Sequence, residues 1–167
     1  RRFQDLGVDV FLGEGRFSGP DTVEVDGKRL HFRKAVIATG SRPVIPPVEG
    51  LVEADFLTNE TVFSLTERPR RLAVIGGGPI GCELAQAFRR LGSEVVLFHS
   101  ASHILNREDE DAAEILQQAF IRDGIRLILG CKTKRVEKNN GNKVIHIECQ
   151  GKKETVTVDE ILVGTGR

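Results

Sequence analysis

The chain has 167 residues, enough for one good-sized domain or one domain with part of another. With 40% hydrophobic and 29% charged residues it can bury a core, as a soluble globular protein does. Its 24 Lys and Arg balance 24 Asp and Glu, which leaves no electrostatic footprint for nucleic acid or an anionic membrane, and no apolar run approaches the ~20 residues of a membrane helix.

Arg1-Arg2-Phe3-Gln4-Asp5 is neither a signal peptide nor a transit peptide. Cys82, Cys131 and Cys149 are odd in number and widely spaced and contain no CxxC, which fits neither a disulfide framework nor a zinc site. They predict three reduced thiols in a cytoplasmic protein. The missing initiator methionine and the ending inside the turn Gly164-Thr165-Gly166-Arg167 predict an internal fragment.

In chain order, Val8-Asp9-Val10-Phe11-Leu12 alternates as a strand. Thr22-Val23-Glu24-Val25 and Arg29-Leu30-His31-Phe32 flank Asp26-Gly27, a hairpin signal. Lys34-Ala35-Val36-Ile37-Ala38 reads as a buried strand entering the turn Thr39-Gly40-Ser41. Three prolines then impose an extended connector over residues 42–47. A short helix is predicted over 60–65, capped by Thr58 or Asn59, before a second linker at 66–70.

From Arg71 the pattern alternates strand and helix. Strands are predicted at 72–75, 94–98 and 125–129, as apolar runs covered on both faces. Between them, a helix over 79–91 presents Ile80, Leu84, Phe88 and Leu91, and one over 111–122 presents Ala112, Leu116, Ala119 and Phe120. This is βαβαβ with a parallel sheet, a Rossmann-like α/β unit. Residues 134–137, 143–149 and 154–158 read as an antiparallel β-meander, turning first at Asn139-Asn140-Gly141-Asn142, before a last buried strand at 161–163.

Gly76-Gly77-Gly78-Pro79-Ile80-Gly81 satisfies GxGxxG through Gly76, Gly78 and Gly81, after a strand and at the opening of a helix, the context that gives the motif meaning. Gly76 permits a tight turn, Gly78 lets the backbone approach a pyrophosphate, and Gly81 lets helix and strand pack closely. The pyrophosphate then rests on free N–H groups at the helix N-terminus, where Pro79 forfeits no needed donor. The carboxylate expected ~20 residues on for a ribose is missing, because Phe98-His99-Ser100 stands there. Ser100, and His99 when protonated, can donate to a 2′-phosphate, which tilts a choice between NAD and NADP towards NADPH. Arg107 is a further candidate for that phosphate, and an ordinary loop is an equal alternative. His99 and His103 do not form a metal site on this pattern, so no metal is expected. The run Glu108-Asp109-Glu110-Asp111 opens a helix, where the dipole accounts for it.

These landmarks, Ala38-Thr39-Gly40-Ser41-Arg42-Pro43, residues 74–83 and Gly164-Thr165-Gly166-Arg167, stand in an order and spacing that resembles the two-dinucleotide flavoprotein disulfide oxidoreductases. That is the family of mercuric reductase, dihydrolipoamide dehydrogenase and glutathione reductase, and His103-Ile104-Leu105-Asn106-Arg107-Glu108-Asp109 looks closest to its mercuric-reductase-like members. The resemblance implies three segments: residues 1–45 as the C-terminal part of an FAD domain, 46–70 as a connector, and 71–167 as an NAD(P)H domain. It puts Gly15, Thr39, Gly40 and Ser41 on the FAD side. On the NAD(P)H side it puts Gly76 to Gly81, with Glu83 and Gly166 towards the nicotinamide and Thr133 towards the adenosine. The family's redox-active cysteine pair, catalytic histidine and homodimerisation domain lie outside the matched stretch, so no catalytic residue is assigned here. The implied activity is hydride transfer from NAD(P)H to FAD. A flavoprotein NAD(P)H oxidase or ferredoxin reductase, and a non-catalytic dinucleotide-sensing module, remain alternatives.

Overall fold

The computed structural model describes residues 2–166 and divides into two units, 1–40 and 41–167. The first unit holds the short helix α1 (Arg2–Asp5) and a three-stranded antiparallel sheet: β1 (Gly15–Gly19), β2 (Thr22–Val25) and β3 (Lys28–His31), in that order. The β2–β3 hairpin forms as expected, with Asp26 and Gly27 at φ 47° and 77°. Positive φ at both central residues matches the twist of the flanking strands.

Two expected strands are absent from this unit. Residues 8–12, before β1, have no strand pairing, and neither have 34–38, after β3, where Val36 is 91% and Ile37 72% exposed. Both segments are largely apolar, but a strand needs hydrogen-bonding neighbours, and the described residues of this unit offer none to either segment.

The second unit is three-layered. Its middle is a parallel sheet of β4 (Arg71–Ile75), β5 (Glu94–His99), β6 (Arg126–Leu129) and β10 (Glu160–Val163), in the order β10-β4-β5-β6. Helices α2 (Pro79–Arg90) and α3 (Glu110–Asp123) connect the first three strands. The meander of β7 (Lys132–Asn139), β8 (Asn142–Cys149) and β9 (Lys152–Val158) forms a second, antiparallel sheet. Period-two alternation divides the apolar side chains of the middle sheet. Ala73, Ile75, Val96, Phe98, Ile161 and Val163 join Val136, Ile145, Ile147 and Val158 of the meander in one core. Leu72, Val74, Val95, Leu97 and Leu162 join Cys82, Ala85 and Phe120 of the helices in the other. Burial on both faces is why these strands are continuously apolar.

The helix faces differ in detail from the pattern read in sequence. In α2 the buried residues are Gly81, Cys82 and Ala85, with Leu84 and Phe88 at the margin, while Leu91 is 67% exposed. In α3 Ala113 rather than Ala112 is buried with Phe120, and Gly124 ends the helix in the left-handed region at φ 80°. Gly81 packs too closely on Gly76 and Val74 for a larger residue, and the small residues Gly81, Cys82 and Ala85 are the ones that α2 buries. The expected helix at 60–65 contracts to one 3₁₀ turn, Val62–Ser64, where Thr61 rather than Thr58 or Asn59 takes the N-cap position without a side-chain cap.

Residues 46–57 pack onto this unit. Leu51 and Ala54 are buried in the meander-side core, and Val136 N–H donates to Glu49 O at 2.8 Å. Elsewhere in this unit, Lys143 is 4% exposed and reaches the Glu160 carboxylate at 2.5 Å. Arg71 forms a fork onto Asp159 and also donates to Asn142 Oδ1 at 2.8 Å. Burial alone would raise the Asp159 carboxyl, but the hydrogen bonds and charge of Arg71 outweigh it and hold the group below its ordinary value.

The cysteines are a correction. Cys82 is free and buried, but Cys131 and Cys149 are joined by a disulfide with a Cα–Cα separation of 4.5 Å. They occupy the register position next to the Lys132–Glu148 pair, so antiparallel pairing brings them together.

Candidate functional site

The candidate site lies where β4 stops and α2 begins. A parallel strand leads its chain to the carboxyl edge of the sheet, and β10 and β5 pair with β4 on opposite sides. The edge between β10 and β4 is therefore a point where the strand order reverses, the usual location of a ligand crevice in an open α/β sheet.

The glycines here are required for different reasons. Gly76 has φ +116°, and a Cβ on it would press into the backbone of Gly164. A Cβ on Gly81 would strike the Gly76 carbonyl, and Gly164 in turn lies against Gly81, its own virtual Cβ 3.2 Å from the Gly81 Cα. These three residues let β4, α2 and the end of β10 cross closely. Gly77 is packed by a side chain: its Cβ would come within 2.8 Å of the His99 ring. Gly78 differs from all of them. Its φ is −79° and no atom lies within 4 Å of where its Cβ would be, so no protein group demands the glycine. An absent Cβ facing open space, at the N-cap of a 12-residue helix with no side-chain cap, is the arrangement a bound anion would use.

The loop itself is rigidly held. Gly76 N–H donates to Phe98 O at 2.9 Å, Leu105 N–H to Gly77 O at 2.7 Å, and Gly164 N–H to Ile75 O at 2.8 Å. Gly77 N–H donates to His99 Nδ1 at 3.1 Å. Because that nitrogen accepts, the proton of a neutral ring sits on Nε2, which then donates to Asn106 Oδ1 at 3.1 Å. Both ring nitrogens of His99 are thus engaged within the chain. Cys82 lies beneath the loop with its Sγ 3.4 Å from Gly77 O, and burial, aided by the Glu83 carboxylate, pushes its thiol up to about 12. A thiol held in that form packs and donates; it does not attack.

The other expected site residues are distributed as follows. Pro79 is exposed at the first position of α2, Ile80 is half-buried, and Glu83 is exposed one turn later. Ser100 and Arg107 are exposed in the loop after β5. Thr133 sits in β7 opposite Ile147, beside a bulge between Thr133 and Arg135. Gly166, at φ +124°, accepts from Val44 N–H at 2.9 Å, and Thr165 Oγ1 donates to Val44 O at 2.8 Å. Arg167 lies outside the described residues. In the other unit, Gly15 opens β1 opposite Val25, and Thr39 and Gly40 are exposed, as is Ser41 at the start of the second unit.

Sequence reasoning missed Asn106, the Leu105 amide and the support given by the His99 ring. The signal was only that a histidine ended the strand next to a glycine loop. An open cleft of about 650 Å³ on the outer face of the meander, lined by Glu49, Lys134, Arg135, His146 and Lys153 among others, is not near this chemistry in the chain. Its charges largely satisfy one another, as in Arg135 with Glu137 at 2.7 Å and Lys134 with Glu148 at 3.2 Å.

Residues 2–167 match the family model described as pyridine nucleotide-disulphide oxidoreductase. The chain is 39% identical over its whole length to a mercuric reductase of Lysinibacillus sphaericus, covering 31% of that protein. It is 36% identical to a glutathione reductase of Burkholderia cepacia, again over its whole length and 36% of that protein. Among solved structures, 95% of the chain superposes on 36% of the HOCl-induced flavoprotein disulfide reductase RclA of Escherichia coli, with a TM-score of 0.77 at 30% identity. The chain spans about a third of the length of the curated relatives it matches.

Proposed function

The chain belongs to the pyridine nucleotide-disulphide oxidoreductase family, and from that premise we propose that it is the nicotinamide-dinucleotide-binding part of a flavin-dependent oxidoreductase. The observation that carries this reading is Gly78: a glycine that no neighbour requires, facing open space at an uncapped helix N-terminus. A pyrophosphate there would accept from the first free N–H groups of α2 and complement the helix dipole.

In this reading residues 71–167 bind NAD(P)H and 46–70 connect. Gly76, Gly77, Pro79, Ile80 and Gly81 shape the turn around Gly78, while Glu83 and Gly166 border the nicotinamide end and Thr133 the adenosine end. His99 supports the loop by holding the Gly77 amide, so Ser100, exposed beside it, is the better candidate for the adenosine ribose or its phosphate. NADH and NADPH both fit a site with no carboxylate at this position.

Residues 1–45 would be the trailing part of an FAD domain, with Gly15, Thr39, Gly40 and Ser41 on its nucleotide side. The unpaired apolar segment at 34–38 supports this, since it has the composition of a covered parallel strand. Dinucleotide and flavin would supply the hydride chemistry, while the residues named here bind and orient. The final acceptor, of the kind named by mercuric or glutathione reductase, and homodimerisation belong to the whole protein.

Calorimetric titration of the chain with NADH, NADPH and FAD tests the assignment. Saturable binding of a nicotinamide dinucleotide with no stoichiometric flavin is expected. Flavin retained at one per chain, or no response to either nicotinamide dinucleotide, would contradict it.

A further inference from the structure

We propose that Cys131 and Cys149 form a thiol–disulfide site that is oxidised and reduced within the folded protein, and whose state sets how firmly the glycine-rich loop is held. The pairing is a property of the meander. Cys131 immediately precedes β7 and Cys149 ends β8, on adjoining antiparallel strands with Cα atoms 4.5 Å apart. The two differ in access. Cys131 is 8% exposed and packs in the meander-side core, whereas Cys149 is half-buried and adjoins the turn at Gln150 and Gly151. Cys149 is therefore the sulfur a small reagent reaches first. Lys152, an exposed cation, stands opposite Cys149 in register.

The exchange balances with a low-molecular-weight disulfide of the glutathione type as oxidant. The Cys149 thiolate attacks one sulfur of that disulfide, whose S–S bond breaks and releases one half as a thiolate. The Cys131 thiolate then attacks Cys149 Sγ of the mixed disulfide and expels the second half. Two electrons pass from the cysteine pair to the small disulfide, and the two cysteine protons end on the two released thiols. Excess small thiol runs the same steps backwards.

A short run of contacts links this site to the loop. Gly130 N–H donates to Ala101 O at 2.7 Å and Cys131 N–H to His99 O at 3.4 Å. The ring of the same His99 accepts from Gly77 N–H and donates to Asn106. With the disulfide closed, Cys131 is fixed to β8 as well as to β5. With it open, the head of β7 keeps the Lys132–Glu148 pairing and the long bond to His99 but loses its covalent tie to β8, and His99 is freer to leave Gly77. The consequence for a dinucleotide rests on the function proposed above; the redox chemistry and the loosening of the loop do not.

The test equilibrates the 167-residue chain with glutathione at graded ratios of its reduced and oxidised forms, quenches with acid, alkylates, and reads the mass of each cysteine peptide. Cys131 and Cys149 should titrate together while Cys82 remains a thiol throughout. The proposal is overturned if both stay free at every ratio, or if their bond persists until a denaturant is added. Amide hydrogen exchange of the fully oxidised and fully reduced protein then reads the link, with Gly77 and Cys131 exchanging about tenfold faster when reduced. Cys149→Ser should match the reduced protein under both conditions, and the reduced wild type serves alone if that variant does not fold. Equal exchange in the two states removes the link. NADH should bind about threefold more weakly to the reduced form, a difference of the size that loop ordering gives. Failure of both forms to bind either NADH or NADPH would sink the dinucleotide reading, while the glutathione titration and the exchange data still decide the cysteine site.

Discussion

Residues 34–38 and 72–75 are both short apolar runs entering a glycine turn, yet only the second is a strand. Leu72, Ala73 and Val74 are fully buried between β10 and β5, while Val36 is 91% exposed with no strand beside it. The difference lies in neighbours rather than in residue type. A strand apolar on both faces can form only where hydrogen-bonding partners flank it and a layer covers each face. Composition marks both segments as strand candidates, and only the one flanked by other strands is buried.

The most direct way to break this contrast is to truncate one side chain in each segment. Leu72→Ala should cost about 3 kcal/mol, as cavity-forming changes in a packed core do. Val36→Ala should change stability by less than about 0.5 kcal/mol, as surface changes do. Urea denaturation of both variants checks this, and equal losses would mean that the segment at 34–38 is packed in solution.

The meander sharpens the comparison from another side. Reducing the Cys131–Cys149 bond, which spans 18 residues, should lower stability of the second unit by about 2 to 3 kcal/mol. The first unit, which holds no cysteine, should lose nothing. Thermal unfolding with and without reductant, followed by exchange of amides in each unit, separates the two.

Asp159→Asn should cost about 1 to 2 kcal/mol at neutral pH, because Arg71 loses a charged acceptor. The Asp159 carboxyl is held below its ordinary value near 3.8, so its contribution is complete above that value and is lost as pH falls through the lower folded one. The gap between wild type and variant in acid titrations should therefore be constant from pH 7 to 5 and close only as pH falls below the ordinary carboxylate value. A gap that widens with acid would reverse the sign of the argument. The smallest effect concerns Cys82, whose thiol is pushed up to about 12. Native protein at pH 8 should leave it unalkylated by iodoacetamide, and rapid modification would show that the glycine loop opens.

Much of the second unit was legible in sequence because its elements are local: periodicity marks β4, α2, β5 and α3, and glycine placement marks the loop. What was not legible depends on register and on partners. The two cysteines show why. Counting outward from the hairpin turn at Asn140-Gly141, where Asn139 pairs Asn142, a regular ladder would set Cys131 opposite Gln150 rather than Cys149. The bulge between Thr133 and Arg135 shifts the register by one residue and brings the sulfurs to the same face. A bulge has no dependable sequence signature, so three free thiols was the expectation. The position of His99 at the end of β5 is plain in sequence, but its ring turns inward to the Gly77 amide, a choice made by loop geometry that spacing does not encode.

The central claim is that the open space at Gly78 is kept for a dinucleotide pyrophosphate. Gly78 has a φ of −79°, which any residue adopts, and a virtual Cβ with no neighbour within 4 Å, so Gly78→Val should fold with nearly wild-type stability. Calorimetric titration of the wild type and Gly78→Val with NADH and NADPH is the decisive measurement. The account predicts saturable binding by the wild type and none by the folded variant. A folded Gly78→Val that binds as tightly as the wild type would contradict it.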